Sequence, residues 1–252
     1  LTAMRAERFK EAQGFFDKGQ YREALDIIMD MYSQNKMEKS IRDYRDKFVG
    51  EVLVQAEELY TQELFESALV NFNIVSDYQR LENPKIYLKM ADCHKALGDY
   101  AEAVKDLDMV LMGDRENLLL NYQIGSIYLD ILNNPEDARP YFDQARIRVK
   151  QILNQTYGHA AELVMDPKTS PAIYFEVFFS RAKILTQLQA YEEAIKDSNW
   201  CVFLQPDNGE AFYIRAQNYH GINNSTRACK NWKEANRLGY QPAREMITKF
   251  CQ

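Results

Sequence analysis

The side chains able to do chemistry are few and scattered. Four cysteines stand at Cys93, Cys201, Cys229 and Cys251, and three histidines at His94, His159 and His220. A structural zinc site needs ligands brought together by short spacings, and none of the four cysteines has a C-x-x-C or zinc-type neighbour. The chain has no glycine-rich phosphate loop, no H-E-x-x-H pair and no G-x-S-x-G elbow. Carboxylates such as Glu192 and Glu193 recur at helix starts, where the helix dipole favours them without any chemical role. Asn154-Gln155-Thr156 and Asn224-Ser225-Thr226 fit the glycosylation acceptor pattern, a triplet short enough to arise by chance. These residues predict no catalytic group, no metal site and no cofactor. Cys93 and Cys201 fall at core-type positions and read as structural.

The elements that carry these residues follow from composition. Of 252 residues, 46% are hydrophobic, ample for a real core. Only Gly 10 and Pro 7 interrupt a chain rich in Ala, Leu, Glu, Lys and Gln, which favours long helices over short strands. The net charge of −6 argues against a broad nucleic-acid footprint, which needs a basic face. No window reaches the roughly 18 apolar residues that span a bilayer. The start, Leu1-Thr2-Ala3-Met4-Arg5, is neither an initiator methionine nor a signal peptide and reads as a cut edge.

One pattern organises the chain. Gly19-Gln20-Tyr21-Arg22-Glu23-Ala24 recurs as Gly98-Asp99-Tyr100-Ala101-Glu102-Ala103 and as Gln189-Ala190-Tyr191-Glu192-Glu193-Ala194. Looser copies end at Ala68, Ala138 and Ala228, so the alanines are separated by 44, 35, 35, 56 and 34 residues. Some twelve residues before each lies a second small residue: Ala12, Ala56, Ala91, Gly125, Ala182 and Ala216. Two antiparallel helices approach closely only where side chains are small, so each repeat keeps one such residue per helix at the crossing. A bulky partner follows the second alanine in most copies: Phe72, Leu107, Phe142 and Trp232.

Three of the five spacings match a period of about 34 residues. Ile124-Gly125-Ser126-Ile127-Tyr128 matches the Leu-Gly-x-x-Tyr signature that goes with that period, and Pro206 stands where a repeat ends. Over nearly its whole length the sequence resembles the tetratricopeptide-repeat family. The resemblance implies an all-α helical solenoid of about six helix-turn-helix repeats, near 5–36, 37–81, 84–116, 118–156, 171–207 and 209–239. A capping helix follows at 242–251. Because no repeat buries its own apolar face, stacking supplies the core and 1–252 is expected to be one domain.

Two spacings are long. Met37, Ile41, Tyr44 and Phe48 form a helical stripe that predicts a first helix of repeat two extended toward Lys36. Between repeats four and five, the helix beginning near Ala138 is expected to run on to Gln155. An insertion at 157–170 then carries a short apolar piece from Ala160 to Met165. Thr169-Ser170-Pro171 reads as a helix start with a hydroxyl cap and proline in the first turn. Such an insertion is either a binding element or a tolerated surface loop.

Near the end, Leu238-Gly239-Tyr240-Gln241-Pro242 stops one helix and starts another. Cys229 and Cys251 lie symmetrically about Tyr240 and should face each other, either as a disulfide, which implies an oxidising and so extracytoplasmic setting, or as two packed thiols. The segment from Ala228 to Cys251 resembles the endings of tetratricopeptide-repeat proteins of the Bacteroidetes group, and so of bacterial proteins.

In the family, first helices line an inner groove. Carried across, the groove positions are Phe9, Gln13, Phe16, Leu53, Glu57, Tyr60, Leu88, Asp92 and Lys95, then Tyr122, Ser126, Leu129, Phe179, Lys183, Thr186, Tyr213, Gln217 and His220. The contacts expected to matter most are Phe16, Leu53, Tyr60, Leu88, Lys95, Tyr122, Phe179, Lys183, Tyr213 and Gln217. Aromatic area interspersed with polar groups suits an extended peptide or a partner helix. The carboxylate clamp of chaperone-tail-binding members is absent, because Leu53, Glu57, Thr61, Leu88, Asp92 and Ala96 occupy its positions. The resemblance therefore implies a non-enzymatic scaffold or adaptor that binds a protein or peptide. Alternatives are a regulatory tail of a larger chain, enzymatic or membrane-anchored, and a cell-envelope module associated with glycans.

Overall fold

A computed structural model describes residues 2–34, 38–78 and 83–251, with side chains from Met4 onward. The described residues are helical throughout, with no strand among them. Six helix pairs correspond to the six repeats: α1 (Thr2–Phe16) with α2 (Tyr21–Gln34), α3 (Lys39–Thr61) with α4 (Phe65–Tyr78), and α5 (Lys85–Leu97) with α6 (Tyr100–Leu111). They continue as α7 (Leu118–Ser126) with α8 (Pro135–Tyr157), then, after a short α9 (Ala161–Val164), α10 (Ala172–Gln187) with α11 (Tyr191–Leu204) and α12 (Gly209–Gly221) with α13 (Ser225–Arg237). The cap is α14 (Pro242–Phe250). Lys36, Met37 and the repeat boundary at 81 lie outside the described residues. Contacts gather the chain into two compact units, 1–113 and 114–252.

Steric demand at the crossings explains the alanine pattern. Ala12, Ala56, Ala91, Ala182 and Ala216 are fully buried, as are Ala24, Ala68, Ala103, Ala138 and Ala194. At Gly125 the ring of Phe142 takes the space a methyl group would fill, 2.7 Å from the ideal Cβ position. Phe72, Phe142 and Trp232 are buried completely in these crossings.

The turn inside each pair obeys the same period. Gly19, Glu63, Gly98, Asn133, Gln189 and Asn223 all have positive φ, each five residues before its repeat alanine. Glycine adopts this left-handed conformation freely, whereas Glu63 and Gln189 do so against side-chain sterics. In the second unit α7, α8, α12 and α13 are capped by Asn117, Asn134, Asn208 and Asn224, whose side chains accept from backbone amides of the first turn.

The insertion is built differently from its sequence reading at one point. The predicted hydroxyl cap on α10 does not form. Thr169 and Ser170 donate backward, to the carbonyls of Asp166 and Pro167, and close a 3-10 turn over Pro167–Thr169. The helix begins at Ala172, so Pro171 holds the cap position, and its side chain has no oxygen to accept from the first-turn amides. The helix from Ala138 does run long, to Tyr157, and α9 buries Ala161, with Met165 buried just beyond it. Behind it Arg181 on α10 is buried against Asp197 and bridges to Asp143 and Glu193, tying α8, α10 and α11 together. In the last repeat a disulfide joins Cys229 to Cys251, with Cα atoms 5.5 Å apart, and fastens α14 to α13.

Candidate functional site

The predicted groove residues sit on α1, α3 and α5 in the first unit. Phe9 stacks on Tyr44 with centroids 4.3 Å apart, so α1 and α3 lie side by side. Phe16 stacks on Phe48 and is only 7% exposed, which makes it part of the core between helices. Gln13 donates to Asp17 on its own helix. Leu53 is half-buried against the core. Further along, a charge pair bridges α3 to α5: Lys89 reaches Glu57 at 2.6 Å, and its ammonium lies 5.8 Å from the Tyr60 ring centroid. Lys95 is held by Asp92 at 2.7 Å, and the Tyr60 hydroxyl donates to the same Asp92 at 3.5 Å. Burial pushes the Tyr60 phenol above its ordinary value, with Asp92 adding to the shift, so it stays a neutral donor. Leu88 is exposed beside this ladder.

In the second unit the positions lie on α7, its π-helical continuation Ile127–Ile131, α10 and α12. Tyr122 is half-buried, edge-on to Phe142 at 5.8 Å, and burial raises its phenol pKa. Ser126 is half-buried just before the π segment, while Leu129 is buried within it. Phe179 stacks on Phe175, with the Lys183 ammonium 5.6 Å from its ring. Thr186 donates to Asn218 and so links α10 to α12. Tyr213 leans on Tyr240 at 5.1 Å, Gln217 is half-buried, and His220 packs between Trp232 and Phe250. The first helices thus present aromatic rings with polar groups set against them, within each unit separately.

Two features were not among the sequence-derived site residues. Lys89, which fixes Glu57, carries a signal only in hindsight, a complementary charge one repeat away. The insertion walls a cleft of about 260 Å³ lined by Lys150, Leu153 and Trp200 together with His159 and Glu162. The Lys150 ammonium sits 3.8 Å from the Trp200 centroid, and burial lowers its pKa. Cys93 and Cys201 are buried free thiols, and burial raises both. His94 is hydrogen-bonded to Asp106 at 2.8 Å. Among the described residues no group of histidine, cysteine and acidic side chains is arranged to hold a metal, and no helix is long and apolar enough to cross a membrane.

A family model described as a tetratricopeptide repeat matches residues 86–111, covering most of α5 and α6. No curated protein matches the chain by sequence. Among solved structures, YrrB, a TPR protein with an unusual peptide-binding site, superposes with TM-score 0.56 at 17% identity, covering 88% of this chain and 97% of its own. A MamA protein superposes with TM-score 0.53 at 15% identity, covering 78% of this chain and 94% of its own. With one repeat recognised by the family model and the helix-pair architecture shared with these structures, the chain has the tetratricopeptide-repeat fold.

Proposed function

We propose that the chain is a scaffold or adaptor that binds a peptide or partner protein along its first helices, without catalysing a reaction. The observation that carries this reading is the half-buried aromatic set Tyr122, Phe179 and Tyr213, each on a first helix of the second unit and none sealed into the core. Half-buried rings supply contact area at low entropic cost, and Lys183 and Gln217 on the same helices can orient a bound backbone. Tyr60, Leu88 and Lys95 offer the same combination in the first unit, with Leu53 behind them. Phe16 supports this face from within the core. The peptide-binding site of YrrB is consistent with the reading, since that protein shares the fold.

Affinity capture from the native host, followed by binding measurements on the captured polypeptide, tests it. Tyr122→Ala, Phe179→Ala and Tyr213→Ala should each weaken binding while far-ultraviolet circular dichroism keeps its helical signal. Truncating a well-packed interface aromatic typically costs about 1–2 kcal/mol or more, roughly a tenfold loss in affinity. Unchanged affinity in all three variants would move the site off the first helices.

A further inference from the structure

The last repeat carries a concentration of positive charge that the residues proposed above for partner binding do not include. Phe212, Arg215 and Tyr219 share one stripe of α12, and Arg227 and Lys230 share one stripe of α13. Together they line a cleft of about 430 Å³. Arg215 is held in place without being neutralised. Its Nε donates to Asn231 Oδ1 at 2.8 Å and its Nη1 to Asn199 Oδ1 at 3.1 Å, and both acceptors are uncharged amides. Among the described residues no carboxylate lies within ion-pair distance of Arg215, Arg227 or Lys230. Glu234, the acid on the cleft wall, is already bonded to Arg237 at 2.5 Å.

The aromatic walls stack on the cations. Arg215 lies 5.2 Å from the Phe212 centroid, and Arg227 lies 5.5 Å from that of Tyr219. Burial lowers the Arg215 pKa, and no carboxylate is near enough to restore it. Three cations therefore converge without an internal counterion, in a chain whose net charge is −6. A half-buried guanidinium oriented by amides and lacking an acid is arranged to meet an anion from outside.

We propose that this cleft binds an acidic segment of a partner polypeptide, whose carboxylates engage Arg215, Arg227 and Lys230 while a neighbouring apolar side chain packs on Phe212. The cleft is far larger than one phosphate and has aromatic walls, which a peptide can cover and a lone oxyanion cannot. The amide of Arg227 at the start of α13, a group that would serve a phosphate, is occupied by the Asn224 side chain. The acidic balance of the whole chain opposes a nucleic acid. The cleft uses none of the residues named for the function proposed above, although Phe212, Arg215 and Tyr219 share α12 with Tyr213 and Gln217, so it stands or falls apart from that function.

The test uses the intact chain and a fluorescein-labelled peptide of sequence Gly-Glu-Glu-Phe-Glu-Glu-Gly, read by fluorescence anisotropy. Its counterpart with glutamine for glutamate should bind at least tenfold more weakly. Arg227→Gln and Lys230→Gln, both at exposed positions that leave the core intact, should each weaken the acidic peptide roughly threefold to tenfold. Arg215→Lys should weaken it too, since it keeps a charge but loses the fork. Phe179→Ala should leave it unchanged. Equal binding of the two peptides, or indifference to Arg227→Gln and Lys230→Gln together, overturns the proposal. So does displacement of the peptide by inorganic phosphate at matching concentration, which would make the cleft a simple oxyanion site.

Discussion

Replacing Gly125 with alanine tests the crossing geometry of the fourth repeat directly. The added Cβ would lie 2.7 Å from Phe142 Cε2, 2.8 Å from Cδ2 and 3.1 Å from Cζ. Favourable carbon contacts need about 3.5–4 Å, so the ring would have to retreat by roughly 1 Å. Phe142 is fully buried and its edge meets Tyr122, which leaves it nowhere to go. Overpacking of this kind costs about 1–3 kcal/mol. Against it stands the gain from replacing glycine in a helix, about 1 kcal/mol. Gly50 on α3 isolates that gain, because a Cβ there meets nothing within 4 Å. Urea denaturation followed by circular dichroism should show Gly50→Ala stabilised by about 1 kcal/mol and Gly125→Ala lower than it by about 1–3 kcal/mol. Adding Phe142→Leu should recover part of the Gly125→Ala deficit, since the smaller side chain vacates the contested space. If Gly125→Ala gains as much as Gly50→Ala, the crossing is not the steric constraint described here.

The remaining predictions concern turns, the cap and the domain. Glu63→Gly and Gln189→Gly should each stabilise by up to about 1 kcal/mol, because relief of a left-handed backbone worth about 1–2 kcal/mol exceeds the entropic cost of glycine; a loss of stability on denaturant titration would refute this. The Cys229–Cys251 bond closes a loop with sequence separation 22, worth roughly 3 kcal/mol in the chain-entropy model, so Cys251→Ser should raise hydrogen exchange in α14 before the rest of the chain. Free alkylation of Cys251 in folded, oxidised protein would contradict the bond. We propose that 1–252 acts as one domain, so the fragments 1–113 and 114–252 should each melt lower than the intact chain; two fragments with unchanged transitions would show two domains instead.

The repeat architecture was legible because each repeat states its own requirement locally. A small residue at Ala91 and another at Ala103 are needed wherever two helices cross closely, and that need recurs at the period of the fold. The turn positions were legible only in part, since Gly19 and Gly98 announce a left-handed residue whereas Glu63 and Gln189 do not. The start of α10 was misread because Thr-Ser-Pro fits a hydroxyl cap in isolation. The 3-10 turn from Asp166 to Ser170, a product of the insertion's own packing, claims both hydroxyls first.

By itself, then, the sequence determined the class of fold, the pairing of helices and the register of the buried alanines, because those depend on contacts within a repeat or between one repeat and the next. Only the tertiary structure decided which charges meet. Glu57 finds Lys89, and Arg181 gathers three acids from two other helices, while Arg215 is left with amides alone. Every one of these residues is a plausible surface charge in the linear chain. Their partners lie on other helices, and which of them meet follows from side-chain packing that no spacing in the sequence records.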